Sequence, residues 1–161
     1  GKWIYWNSSG EIIETDDWVM GSGVFRSYGG RYVEERILKN GKYHGKSTIW
    51  YRNGQKKEEG NYQDNKRIGR WIQWHENGQK WSEINFKDGK ENGLNTTWYE
   101  NGQKQSEINF KNGEPEGLGF AWHRNGQKAM EGMVENGKEV SQKFWNSKGE
   151  SVNSFEETGL K

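Results

Sequence analysis

Apolar and polar residues alternate along most of the chain in short runs. In Ser82 to Lys87, Ile84 and Phe86 fall on one face while Glu83 and Asn85 fall on the other. In the run that follows, Thr96 and Trp98 share a face and Thr97 and Tyr99 take the opposite one. A period of two predicts β-strands, because successive side chains of extended backbone point to opposite sides. Two kinds of turn dipeptide separate the runs, here Asn77-Gly78 and Asp88-Gly89, and both accept the positive φ of tight hairpins. Two runs and their turns therefore predict one β-hairpin.

The unit recurs. "NGQK" begins at Asn53, Asn77, Asn101 and Asn125, and the differences 77 − 53, 101 − 77 and 125 − 101 are each 24. Upstream, "GRYVEERILKNGKYHGKSTIWYR" from Gly30 keeps the frame; downstream it holds through Asn136-Gly137, after which Trp145 arrives one residue early. "GKWIYWNSSGE" at Gly1 matches "GRWIQWHENGQ" at Gly69, so the chain opens in mid-repeat, and only Ile12 to Gly29 is out of register. The expected organisation is a single array over 1–161. Residues 1–29 form irregular repeats, 30–149 regular hairpins and 150–161 a cap or tail.

Stacking the frames exposes columns. One reads Leu38, Tyr62, Phe86, Phe110, Val134, and another Trp50, Trp74, Trp98, Trp122, with Trp6 and Trp145 as displaced ends. Both are expected as core. A third column, Gly45, Gly69, Gly93, Gly117, starting with Gly1, marks positions where a side chain would clash with a ring or forbid the backbone angle. The predicted fold is all-β: tandem hairpins of about 24 residues stacked into one elongated, twisted antiparallel sheet folded over its aromatic face.

Composition matters because it makes that core thin. Hydrophobic residues are 29%, charged residues 29% and mean hydropathy is −1.28, values typical of disorder. The 10 Trp, 7 Tyr and 6 Phe reverse that expectation, since each ring buries roughly 150–250 Å². Lys+Arg at 24 and Asp+Glu at 23 are interleaved, which gives no electrostatic footprint for nucleic acid or anionic lipid. With no cysteine there are no disulfide staples or thiolate metal sites. No apolar run approaches the ~18 residues of a membrane span.

The order NGQ, K, E, aromatic, K(D/N)G, three residues, G, aromatic-Tyr, ENG resembles the variant MORN repeat of bacterial YwqK-type proteins. It does so on Gly78, Glu83, Phe86, Gly89, Gly93, Trp98, Tyr99 and Gly102 and their equivalents 24 residues either side. The resemblance covers 30–149 well and the first 29 residues loosely. It implies a hairpin scaffold for protein contacts. YwqK-type members carry an antitoxin label, and MORN repeats in general are linked to lipid binding and dimerisation. The chain departs from the pattern at Asn65, where the turn glycine is lost, at Ser141, where the Gly column ends, and in the first copy. A bacterial protein is implied, in the envelope or secreted if a leader preceded Gly1 and cytoplasmic otherwise.

Candidate chemistry is sparse. The column Glu35, Glu59, Glu83, Glu107, Glu131 places carboxylates two strands apart, roughly 10 Å, near the upper limit for an inverting glycosidase pair. A ladder, however, gives each Glu a similar environment, whereas acid/base catalysis needs two different ones. A structural role beside Lys56, Lys80, Lys104 and Lys128 is expected. His75 and His123 share a column two repeats apart, too far for one metal, and His44 stands elsewhere. No catalytic, cofactor or metal residue is therefore expected. The sequons Asn7-Ser8-Ser9 and Asn95-Thr96-Thr97 matter only in a eukaryotic secretory setting.

Tyr51, His75, Tyr99 and His123 alternate with the Trp column and so point away from it; Trp71 and Trp81 add rings on that side. These six form the candidate partner-binding stripe, since large exposed rings concentrate interface energy. The expected function is a non-enzymatic scaffold for protein–protein interaction, antitoxin-like or envelope-associated. One alternative is a carbohydrate or cell-wall module, because "GKWIYWNSSGEI" resembles choline-binding repeats in which rings cage a quaternary ammonium. Self-assembly, as a homodimer through the open sheet ends, is another.

Overall fold

The computed structural model describes residues 2–6, 12–17, 23–27 and 32–160. It is almost entirely β-strand. A two-stranded pair, β1 (Lys2–Trp6) and β2 (Ile12–Asp17), is followed by a 13-stranded antiparallel sheet. That sheet comprises β3 (Gly23–Ser27), β4 (Tyr32–Lys39), β5 (Lys42–Tyr51), β6 (Lys56–Gln63), β7 (Lys66–Trp74), β8 (Lys80–Lys87), β9 (Lys90–Glu91), β10 (Gly93–Trp98), β11 (Lys104–Lys111), β12 (Glu114–Trp122), β13 (Lys128–Glu135), β14 (Lys138–Trp145) and β15 (Ser151–Val152). Strands pair in chain order, with β9 and β10 as two halves of one return strand. Gly1, Asn7 and residues 18–22 and 28–29 of the out-of-register stretch lie outside the described residues.

Turn chemistry explains the regularity. The second turn of each repeat has two left-handed residues: Asn40-Gly41, Asp64-Asn65, Asp88-Gly89, Asn112-Gly113 and Asn136-Gly137, with first-residue φ values of 50–55°. Asn65 replaces glycine without changing the turn, at φ 68°, because asparagine tolerates the left-handed region. Its Oδ1 also accepts the Tyr43 N–H at 2.8 Å, tying it to the preceding turn.

Gly69 and Gly117, at φ 64° and 83°, have nothing within 4 Å of an added Cβ. The backbone angle, and not a clash, requires glycine there. Each sits in a bulge where the return strand carries extra residues: Glu59 pairs with Ile72 but Asn61 with Ile68. At Ser141 the glycine is missing and the bulge shrinks, with Met133 opposite Ser141 and Val134 opposite Glu139.

Two expectations need correction. The Phe86 column and the Trp98 column lie on opposite faces, because Trp71, Gln73, Ser82, Ile84 and Phe86 share one face through the pairs Trp71–Ile84 and Gly69–Phe86, and Trp74 alternates with Gln73. Nor does the sheet fold over itself. Strand contacts run between neighbours, and among the described residues Trp71, Tyr99 and Ala129 are the only buried hydrophobic side chains. Both columns are half-buried. A one-layer sheet has no second layer against which to bury either face.

At the C-terminal end, Val152 and Ser151 pair with Phe144 and Trp145. A short 3-10 turn (Glu156–Thr158) buries Thr158, and Phe155 meets the Phe144 ring edge-on at 6.5 Å.

Candidate binding surface

The NGQK turns form one rim of the sheet, and the motif's residues bond from one copy to the next. Asn77 Oδ1 accepts the Gln79 N–H at 2.9 Å, and its Nδ2 donates to Glu100 O in the following turn at 3.1 Å. Asn53, Asn101 and Asn125 repeat both bonds. A Cβ on Gly78, Gly102 or Gly126 would lie 2.8, 2.9 or 2.6 Å from the glutamine Oε1 of the preceding turn. The motif is an inter-repeat ladder.

The Tyr/His column belongs to the same ladder. Tyr51 Oη donates to Trp74 O at 2.7 Å and Tyr99 Oη to Trp122 O at 2.7 Å; His75 Nε2 lies 3.1 Å from Trp98 O and His123 Nε2 2.9 Å from Trp145 O. A carbonyl only accepts, so both histidines carry their proton on Nε2. Burial raises the phenol pKa of Tyr51, helped by Tyr32 and Glu76, and that of Tyr99 against the Arg124 charge, which keeps both as donors.

The six predicted site residues are therefore not an exposed stripe. Tyr99 and His123 are buried, and Tyr51 and His75 half-buried, because their polar tips hydrogen-bond the backbone one repeat ahead. Trp71, 1% exposed, belongs to the Phe86 face. Only Trp81 stands out, 43% exposed with its ring 6.2 Å from His75. It is the extra residue of a bulge, since Gln73 pairs with Ser82 and Trp74 with Lys80. That bulge breaks the alternation on which the stripe depended.

On the Trp98 face, four rings of the column carry the chain's own cation. Lys56, Lys80, Lys104 and Lys128 Nζ lie 5.8, 4.9, 5.4 and 5.6 Å from the centroids of Trp74, Trp98, Trp122 and Trp145. The same ammonium groups pair with Glu59, Glu83, Glu107 and Glu131. The Lys56 hydrogen bond holds Glu59 below its ordinary pKa, against burial and with help from Lys46. Lys128 does the same for Glu131. Burial pushes Glu83 up, but Arg70 and Lys80 outweigh it. A lowered pKa disfavours the protonated form that a general acid needs. Asn95, the second sequon, is buried, accepting from Asn85 N and donating to Glu91.

The Phe86 face changes along its length. Around β6 and β7 it is packed. Trp71 lies edge-on between Tyr62 and Phe86, at 4.9 and 6.3 Å, directly over Gly60, whose added Cβ would sit 2.2 Å from the indole. Arg67 stacks on the indole at 4.1 Å and bonds the buried Glu58, which also accepts from Gln73 Nε2 at 2.7 Å. This network was not singled out in the sequence; Gly60, where the flanking copies have Arg36 and Ile84, was the available signal.

Two repeats further along, Arg67 is matched by Pro115, Trp71 by Gly119, Gln73 by Ala121 and Ser82 by Met130. Gly119 pairs with Gly132, so two adjacent strands lack side chains side by side. The result is an almost wholly apolar groove of about 240 Å³, lined by Ile108, Pro115, Ala121, Met130 and Val134. Among the described residues no group of His, Asp and Glu is placed to hold a metal ion.

Residues 43–64, 67–88 and 91–112 match the family model described as MORN repeat variant. The matched windows start 24 residues apart (67 − 43 and 91 − 67), in the frame of the hairpins, and the same hairpin geometry continues beyond them through β14. No curated protein matches the chain.

Proposed function

We propose that the protein is a non-enzymatic repeat scaffold whose two half-exposed faces dock a partner protein. MORN repeats support a repeat-based binding or scaffold module. The observation that carries the proposal is the single layer. Half-buried rings line both faces, and Trp81, Leu94 and Leu118 are 43, 47 and 50% exposed. Repeat arrays offer extended surfaces of this kind to other proteins. The resemblance to YwqK-type proteins makes a toxin the first partner to test and an envelope protein the second.

The choline-type alternative finds less support, because the ring faces a quaternary ammonium would occupy already carry lysine ammonium groups. Edge-to-edge self-assembly at the C-terminal end is opposed by Lys138 and Glu139, on the stretch of β14 beyond its short pairing with β15, since charges on an uncovered strand edge discourage pairing. The test is capture from source cells, followed by purification of any stoichiometric partner and titration against Trp81→Ala and Leu118→Ser. A tenfold or greater loss of affinity, about 1.4 kcal/mol, is expected for at least one variant. Unchanged affinity in both variants relative to the parent, or retention of glycan alone, overturns the proposal.

A further inference from the structure

Gly60 and Trp71 show how this fold fills a hole made by a missing side chain: an indole lies flat on the bare strand between two flanking apolar residues. The Gly119–Gly132 pair makes a hole on the same face that only the Met130 methyl over Gly132 and Ile108 beside Gly119 partly fill, and no ring covers it. Its polar surroundings have also thinned. The hydrogen-bonding row Glu58, Gln73 and Ser82 of the packed half is matched here by Ser106, Ala121 and Met130, and the Ser106 hydroxyl is taken up by Thr97 at 2.7 Å.

We propose that this groove is a receptor for one aromatic side chain, an indole by preference, presented by a partner protein. This rests on the scaffold function above and names the chemistry of one contact. Volume supports the choice. At about 240 Å³ the groove exceeds the roughly 150 Å³ apolar cavity that admits one benzene ring, and falls below the ~300–1,000 Å³ of sites for drug-sized ligands. A two-ring side chain lies between those limits. The apolar lining suits a ring that brings no charge, and Met130 is a thioether of the kind that packs against aromatic edges.

The test is a titration of the full chain with indole, read by ¹H–¹³C NMR of the methyl groups. Saturable shifts at Met130, Ile108 and Val134, with the methyls of Ile84 beside Trp71 unmoved, are expected. Gly119→Leu should remove them, since an added Cβ meets only ordinary contacts there, 3.5 Å from Ile108 and 3.6 Å from Glu107 O. No saturable shift at those methyls up to the solubility of indole overturns the proposal, and so does an equal response in a folded Gly119→Leu. The wild-type titration decides alone if that variant does not fold. Loss of partner affinity in Trp81→Ala together with a silent groove would remove this proposal and leave the scaffold standing. An indole response with no captured protein would keep the groove's affinity for a ring and overturn the claim that a partner protein presents it.

Discussion

The hairpin of β6 and β7 and the adjoining strands β12 and β13 present the same face of the same repeat, yet one is packed and the other hollow. In the first, Trp71 covers Gly60, Arg67 covers Trp71, and Glu58 ties Arg67 to Gln73. In the second, Gly119 and Gly132 pair side by side beneath an apolar groove. Turns and rim ladder are alike in both. The repeat therefore separates two tasks: turns and strand pairing hold the array, while one column of side chains sets how full each section of the face is. A single-layer sheet tolerates this because each section is supported by its neighbours in the sheet and not by a shared core.

Trp71→Ala should break the packed half. The loss expected is about 3–5 kcal/mol, the range for large aromatic truncations, measured by denaturant unfolding; a loss under ~1 kcal/mol would mean the two halves are equally loose. Glycine-to-alanine exchange sharpens the contrast. Gly60→Ala drives a Cβ to 2.2 Å from the indole and should cost about 1–3 kcal/mol as overpacking. Gly119→Ala meets no such obstacle and should be neutral or stabilising by up to ~1 kcal/mol. Equal effects would sink the comparison.

The rim ladder should not distinguish the halves in kind. Tyr99→Phe leaves the Trp122 carbonyl without its donor and should cost about 1–3 kcal/mol, with Tyr51→Phe, at a less buried position, costing less. The smallest effect is acid dependence. Glu59 and Glu83 are held below the ordinary Glu value of 4.5, so unfolded chains bind protons first as pH falls. Their contribution is complete above that value and is lost as pH drops through the lowered folded values. Both side chains are partly exposed, so each pair contributes about 1 kcal/mol or less. Glu59→Gln with Glu83→Gln should flatten the acid limb of a pH–stability curve, and salt should flatten it in the parent.

Much of the fold was legible because it rests on local rules. Asn-Gly and Asp-Gly need only their own backbone preferences to form hairpins, and a strict frame brings equivalent strands together. Even Asn65, a departure in sequence, keeps its turn. The binding surface was far less legible. Trp81 stands out because of a one-residue bulge, and Tyr99 disappears because its hydroxyl reaches a carbonyl 23 residues ahead. Alternation assigns faces only while pairing is unbroken, and the bulges beside Trp74 and around Gly69 interrupt it within a single repeat.

The sequence by itself determined the hairpin, its 24-residue period and the residues required at positive φ, since these depend on interactions within a turn or along one strand. Tertiary structure alone decided that the aromatic columns occupy opposite faces, that the tyrosines and histidines bind backbone carbonyls, and that Gly119 and Gly132 meet. Those outcomes depend on which residues of different hairpins stand side by side. Bulges set that registry, and their consequences appear only when the strands are assembled.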